Sequence, residues 1–374
     1  MLVRFADEWA TFLPAGSLEP IRGELGLTYA QAAGLLVALP AGGLLGNVFV
    51  VAADYVSRRV LASLGALAYG LALIAFGLAH SLPTLLAAAF IWGAASDAFI
   101  HGCEVALVDL AGDELPLALA RMNGWAAVGD LLGPLTLAAG AAIGFGWRGA
   151  FLGLGVMMLG YAVWIGSQKL PPPHPREHAP HPLVGLLTIL KDPRVLFLAL
   201  VLGLFGLLDE PLAGFMIAYL ERVRGLRADV ATLVTMTLLV GGMAGYADFE
   251  RLAGGRSPRR LVITCAAVMT CALPAALFLP VVGLQAVAGL VFGAAASVFY
   301  TTLGTATLAL RPGQAGATSA VVSSVGMLGI GFPALVGMVA DAHGLTAAIG
   351  LYAVLPLIIL LLVGVAGSGP SGSG

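Results

Sequence analysis

Twelve apolar runs follow one another along this chain. They lie near residues 1–20, 29–53, 58–80, 82–108, 118–144 and 148–168, then near 194–220, 228–250, 258–280, 282–310, 314–340 and 345–366. Each approaches the length of about 20 residues that carries a helix across a bilayer. A backbone surrounded by lipid must satisfy its own hydrogen bonds, which leaves helices as the form such runs can take. Composition agrees, since 59% of the 374 residues are hydrophobic and 10% are charged, against about a quarter charged in soluble domains. The 51 glycines add a means of close packing, because small residues let helix backbones approach where no hydrophobic force drives association. The predicted fold class is an all-α integral membrane protein of twelve transmembrane helices in two pseudo-symmetric six-helix bundles.

The division into two bundles comes from an internal repeat. Asp7-Glu8 returns as Asp209-Glu210, and Leu18-Glu19-x-x-Arg22-Gly23 returns as Leu220-Glu221-x-x-Arg224-Gly225, all at an offset of 202 residues. The segments expected are a first bundle at 1–168, a cytoplasmic Pro/His-rich linker at 169–193, a second bundle at 194–366 and a flexible tail at 367–374. Pro171-Pro172-Pro173-His174-Pro175 is too rigid and polar to span lipid. Three of the six histidines lie in this linker, where solvation explains them better than metal binding. The first apolar segment carries Arg4, Asp7 and Glu8, unlike a cleavable signal, and is expected to stay in the mature chain. Asp7 lies six residues after Met1 but Asp209 lies 15 after Arg194. The first helix is therefore short by about two turns, or the start codon is misassigned.

A net charge of −2 gives no basic field for nucleic acid. Cys103, Cys265 and Cys271 all fall in apolar runs and form no disulfide framework. In the twelve-span arrangement, Arg58, Arg59, Arg121, Lys169, Arg176, Lys191, Arg194, Arg251, Arg256, Arg259, Arg260 and Arg311 share one side. The other side holds Arg22, Arg148, Arg222, Arg224 and Arg227. The positive-inside bias puts both termini and the linker in the cytoplasm of a cell (inner) membrane protein.

Charged residues inside lipid are costly and mark pathways by default. Asp97, His101 and Glu104, spaced four and three apart, fall within about 60° of one another on one helix face. The matching helix of the second half, aligned by Gly93-Ala94-Ala95 and Gly293-Ala294-Ala295, carries Ser297, Thr301 and Gly304 there, with Tyr300, Thr302 and Thr305 nearby. Burial favours the protonated form of a carboxylate and a neighbouring His⁺ opposes it, so this stripe suits proton exchange. The same Asp97, His101 and Glu104 are also candidate ligands for a divalent metal, with Cys103 off the stripe. A third reading is an internal network that only ties helices together. Arg4 precedes the first acidic pair by three and four residues and can neutralise it. Pro211 follows the second pair, so span seven can break there. Asp130 lies seven residues after Asn123 on the same face of span five. Counted together, the acids exceed the cations within the spans, which favours protons, organic cations or metals over anionic substrates.

Three motifs carry a family resemblance. Asp54, Arg58 and Arg59, between spans two and three, fit part of a Gly-x-x-x-Asp-basic-x-Gly-basic-basic loop, while Val50, Tyr55 and Ser57 depart from it. Gly129-Asp130-Leu131-Leu132-Gly133-Pro134 fits Gly-x-x-x-Gly-Pro in span five, and Gly146-Trp147-Arg148-x-x-Phe151 opens span six. With two six-span halves, these residues resemble the major facilitator superfamily of secondary transporters, and the Gly-Pro motif its proton-coupled antiporters. The resemblance implies alternating access, with spans one and seven lining a central cavity. It makes Asp7, Glu8, Trp9, Asp209, Glu210, Tyr300 and Thr301 candidates for substrate binding. Asp97, His101, Glu104 and Asp130 become candidates for proton coupling, and Asp54, Arg58, Arg59, Gly129, Gly133 and Pro134 for gating.

The expected function is proton-coupled transport, as export or antiport, of a small neutral or cationic organic compound by a monomer in the lipid bilayer, without a cofactor. A divalent cation transporter built on the Asp/His/Glu stripe is the alternative. A membrane-embedded enzyme would need a serine elbow, a His-Glu-x-x-His pair or a phosphate loop, and the chain has none of these.

Overall fold

In the computed structural model, residues 2–45, 57–111, 115–168, 191–310 and 315–365 are described. Asp54, linker residues 169–190 and the tail at 367–374 lie outside them. The helices in chain order are α1 (Leu2–Gly16), α2 (Leu18–Leu25), α3 (Tyr29–Gly43), α4 (Arg58–Leu78), α5 (Leu82–Ala111), α6 (Leu115–Ala142), α7 (Gly146–Ser167), α8 (Pro193–Gly206) and α9 (Glu210–Arg222). They continue with α10 (Ala228–Ala247), α11 (Phe249–Ala253), α12 (Pro258–Phe278), α13 (Val282–Ala309), α14 (Ala315–Gly326), a 3-10 turn (Met327–Gly329), α15 (Phe332–His343) and α16 (Leu345–Val365). Among the described residues, nine helical segments are long and apolar enough to cross a membrane. The other three expected runs are helical as well, in α1 with α2, in α3, and in α6, where Val128–Gly140 is the apolar part.

Local sequence sets the helix ends. Thr28 and Gln31 form a reciprocal capping box at the start of α3, with Gln31 N–H to Thr28 Oγ1 at 3.2 Å and Thr28 N–H to Gln31 Oε1 at 2.9 Å. Asp192 accepts from Arg194 N–H at 3.0 Å ahead of Pro193, and Ser257 accepts from Arg260 N–H ahead of Pro258. Both place proline where a helix N-terminus tolerates it. Gly26, at φ 62°, ends α2 in the left-handed region.

Two of the expected runs are broken. Span seven stops at Gly206 and restarts at Glu210, with Asp209 as the N-cap and Pro211 in the first turn, as the acid-proline pattern implies. In the run expected at 314–340, a 3-10 turn at Met327–Gly329 separates α14 from α15, within the apolar segment Ser324–His343. Gly326, Gly329, Gly331 and Pro333 weaken helix propensity there. The first run also changes, reaching Leu25 through a turn at Ser17.

The chain divides into two compact units, residues 1–178 with 333–341, and residues 179–332 with 342–374. Inside the first, α3 packs on α5, α4 on α5 and α7, and α1 on α6. Inside the second, α10 packs on α13, α12 on α13 and α16, and α8 on α14. The four pairings correspond one to one along the repeat. Residues 333–341 join the first unit, where Asp341 accepts from Tyr29 N–H at 2.7 Å and Ala30 N–H at 2.9 Å. An anion there complements the α3 N-terminus.

The repeated seam is built on glycine. A Cβ on Gly93 of α5 would meet the Leu39 carbonyl of α3, and one on Gly42 would meet the Phe90 carbonyl of α5. In the second unit, Gly293 faces the Leu238 carbonyl and Gly241 the Leu290 carbonyl. The helix ends away from the acidic groups are held by arginine. Arg148 donates to the Gly77 and Ala79 carbonyls at 2.7 Å each and pairs with Glu24 at 2.8 Å, while Trp147 Nε1 donates to Glu24 at 2.8 Å. Arg224 donates to the Phe278 and Pro280 carbonyls at 3.3 and 3.2 Å. Each satisfies carbonyls that a helix C-terminus leaves open.

Gly93→Ala and Gly293→Ala are each expected to destabilise by about 1–3 kcal/mol, the usual cost of overpacking. Gly153→Ala, where a Cβ meets nothing within 4 Å, should be neutral or stabilising. Thermal unfolding of the purified protein checks the contrast.

Candidate functional site

The acidic groups of the first unit meet across α1, α4 and α5. Arg4 of α1 reaches Glu104 of α5 through both Nε and Nη2, at 3.0 and 2.9 Å from Oε1. Its Nη1 lies 3.5 Å from Glu8, one turn on along its own helix. His101 Nδ1 lies 3.7 Å from the other Glu104 oxygen. One guanidinium therefore bridges two carboxylates, and one of these also faces an imidazole. The side chains are 32%, 23% and 24% exposed for Arg4, Glu8 and Glu104, so the network is partly desolvated and strengthened accordingly.

Asp7 is treated differently. It is 6% exposed and accepts a 2.5 Å hydrogen bond from the Ser96 hydroxyl of α5. Its backbone carbonyl accepts from Thr11 at 2.9 Å and from the Tyr69 hydroxyl of α4 at 3.4 Å. Asp97 follows Ser96 and is half-buried, with Oδ2 3.2 Å from where a Cβ on Gly43 of α3 would stand. It makes no hydrogen bond and no ion pair among the described residues.

This arrangement pairs two of the acids and leaves Asp97 without an ion pair among the described residues. Glu8 and Glu104 share Arg4, which the sequence offered only as a partner within the helix. The three-residue stripe also separates, with His101 and Glu104 adjacent and Asp97 one turn away facing α3. Among the described residues, no three His, Cys, Asp or Glu side chains are grouped as a metal shell requires, and Arg4 occupies Glu104.

The other candidates fall into distinct environments. Trp9 donates Nε1 to Thr136 of α6 at 2.7 Å and packs on Phe5, which places its polar atom in the α1–α6 seam. Gly129 and Gly133 form that seam. A Cβ on Gly129 would meet the Phe5 carbonyl, and one on Gly133 would lie 2.8 Å from Phe12 Cβ. Pro134 is buried inside α6, which runs through it, and Asp130 is half-buried on the same helix. Of the loop residues, Arg58 is 2% exposed and Arg59 is exposed.

In the second unit, Asp209 is exposed although it lies near the middle of the apolar span Pro193–Arg222, and Glu210 is half-buried. Both carboxylates stand at the start of α9, where the helix dipole favours negative charge. Tyr300 is 49% exposed and stacks on Phe205, the second-last residue of α8, at 5.6 Å. Thr301 and Thr302 donate to the Ser297 and Val298 carbonyls at 2.8 and 2.7 Å. The hydroxyl stripe is thus bonded to its own helix. Sequence reasoning missed Ser96, Tyr69, Thr136 and Phe205. Of these, Ser96 had a local signal, since it adjoins Asp97 on a helix already marked as polar.

The family model of the Major Facilitator Superfamily matches residues 1–334. The chain belongs to that superfamily, and it is a multi-pass membrane secondary transporter rather than an enzyme. Solved structures share the fold. A bacterial homologue of the human lysosomal transporter Spinster, in an inward-facing and occupied conformation, has TM-score 0.74 at 16% identity, covering 98% of this chain and 95% of that one. The nucleoside transporter NupG gives 0.78 at 10% identity, covering 99% and 97%. A POT family transporter in complex with 5-aminolevulinic acid gives 0.75 at 14% identity, covering 97% and 94%.

Arg4→Gln should destabilise by about 1–3 kcal/mol, below the cost of stripping a fully buried charge. The Arg4→Gln/Glu104→Gln double variant should recover part of that loss. Unfolding midpoints of the four proteins form the cycle, and strict additivity would contradict the bridge.

Proposed function

We propose that this transporter couples proton movement to export of a small neutral or cationic organic compound by alternating access, with Asp97 as the proton-responsive carboxylate. The observation that carries the reading is Asp97 itself, half-buried within the candidate span Leu82–Glu104 and unpaired among the described residues. An ionised carboxylate in that setting lacks compensation, so protonation or a bound cation relieves it. His101, one turn away, is the natural exchange partner. Glu104, Glu8 and Arg4 then form an ion-paired frame of two carboxylates on one guanidinium, and Asp130 lies outside the exchanging pair.

Asp209 and Glu210, with Tyr300 and Thr301, are proposed for substrate contact. Asp209 supports this by being exposed at mid-span, where an acid turned to lipid would be prohibitive. Asp7 is bound to Ser96 and acts as a support for α5 in this reading. Gating is assigned to Asp54, Arg58 and Arg59, and to flexing of the α1–α6 seam at Gly129, Gly133 and Pro134. If proton and substrate favour opposite conformations, each flux drives the other. The proposed setting is a cell inner membrane, with a monomer of twelve spans, a 1–168 bundle, a 169–193 linker, a 194–366 bundle and both termini cytoplasmic. A divalent cation is the weaker reading, because Arg4 already sits on Glu104.

Reconstituted vesicles carrying a pH-sensitive dye test the assignment. Asp97→Asn is expected to lower pH-driven flux at least tenfold while leaving the unfolding midpoint within about 1 kcal/mol of the parent, as for a residue without partners. Asp209→Asn should weaken substrate affinity instead. Unchanged flux in folded Asp97→Asn protein would remove Asp97 from the coupling step.

A further inference from the structure

We infer that the second unit carries an anionic phospholipid site at the arginine-bearing ends of α12 and α13, separate from the acidic groups above. A cavity of about 360 Å³ opens there between α11, the first turn of α12 and the last turns of α13. This is the small end of the range of roughly 300–1,000 Å³ typical of ligand pockets. Its walls are mainly apolar, with Phe249, Leu261 and Ala306 among them, and its polar lining comprises Arg256, Thr302 and Thr305. No carboxylate is among the described residues that line it.

The charge distribution points to a phosphate headgroup. Arg256 donates one N–H to the Leu252 carbonyl, which leaves other donors of its five for an incoming anion. Arg259 and Arg260 are exposed on the first turn of α12 and make no ion pair among the described residues. Arg251 is matched by Asp248 at 3.1 Å. Arg256 is thus the arginine that lines the cavity, and Arg256, Arg259 and Arg260 make no ion pair among the described residues. The hydroxyl hydrogen of Thr305 goes to helix carbonyls at 2.8 and 3.1 Å, so its oxygen acts there as an acceptor.

The apolar wall selects a lipid over a free anion. Inorganic phosphate would exchange its hydration for one guanidinium and a hydrophobic lining, a poor trade. A phospholipid puts its phosphate on Arg256 and its glycerol and first methylenes along Leu261, Ala306 and Phe249, and each buried methylene contributes about 0.8 kcal/mol. The cavity adjoins the ends of two helices long and apolar enough to cross a membrane, and such ends are where headgroups meet basic side chains.

Nanodiscs of phosphatidylcholine, with or without phosphatidylglycerol, provide the test, read as unfolding temperature and as lipid retained in native mass spectrometry. Phosphatidylglycerol is expected to raise the unfolding temperature of the unmodified protein by several degrees, with one anionic lipid retained. Arg256→Gln should lose both effects. Ala306→Leu, which fills the cavity and keeps every charge, should lose them too, whereas Arg260→Gln should keep them. Equal loss in Arg260→Gln would show diffuse surface attraction, and an unaffected Ala306→Leu would show that the cavity is unused. An equal rise with inorganic phosphate in pure phosphatidylcholine would make the ligand a free anion. Each of these overturns the inference. If either cavity variant is unstable in phosphatidylcholine alone, the unmodified protein decides: retention of no anionic lipid also overturns it.

Discussion

A charge within hydrocarbon must find a partner or be neutralised, and the first unit meets this demand through Arg4. Its guanidinium joins α1 to α5 by bonding Glu104 at 2.9 and 3.0 Å and reaching Glu8 at 3.5 Å. Glu104 in turn lies 3.7 Å from His101. With Glu8 and Glu104 on Arg4, the carboxylates of the cluster without an ion pair among the described residues are Asp7, held by the Ser96 hydroxyl, and Asp97. Asp97 differs from Asp7 in making no hydrogen bond among the described residues.

The two units share their packing but differ in chemistry. Glycines bring α3 onto α5 and α10 onto α13 by the same close backbone approach. On that common scaffold, the fourth span of the first half carries Asp97, His101 and Glu104, while its counterpart carries threonines bonded to their own helix. Equivalent acidic pairs also diverge. Asp7 lies inside a continuous helix and is buried, whereas Asp209 caps a restarted helix and is exposed. Proline explains the difference, because Pro211 cannot continue the hydrogen-bond ladder and Trp9, at the matching position, can.

Much of this was legible in the sequence because membrane helices announce themselves by local pattern. The apolar runs, the 202-residue repeat, the break before Pro211 and the closeness of His101 to Glu104 all follow from neighbours in the chain. The bond between Arg4 and Glu104 does not, since 100 residues separate them and only the α1–α5 packing brings them together. Sequence likewise placed Trp9 by its type, whereas its indole nitrogen is bound to Thr136 in a helix seam. The division of span eleven at Met327–Gly329 had a signal in Gly326, Gly329, Gly331 and Pro333, but total hydrophobicity masked it. Mean hydropathy reports whether a segment enters lipid, and it says little about whether the helix is continuous.

Infrared difference spectroscopy identifies the carboxyl group that takes up the proton, because protonated and ionised carboxyls absorb in separate bands. Acidification of the purified transporter should produce a carboxylic-acid band that is missing in Asp97→Asn and present in Glu104→Gln. A band that persists in Asp97→Asn and vanishes in Glu104→Gln would show that the Arg4-bound glutamate takes the proton, and would contradict the account.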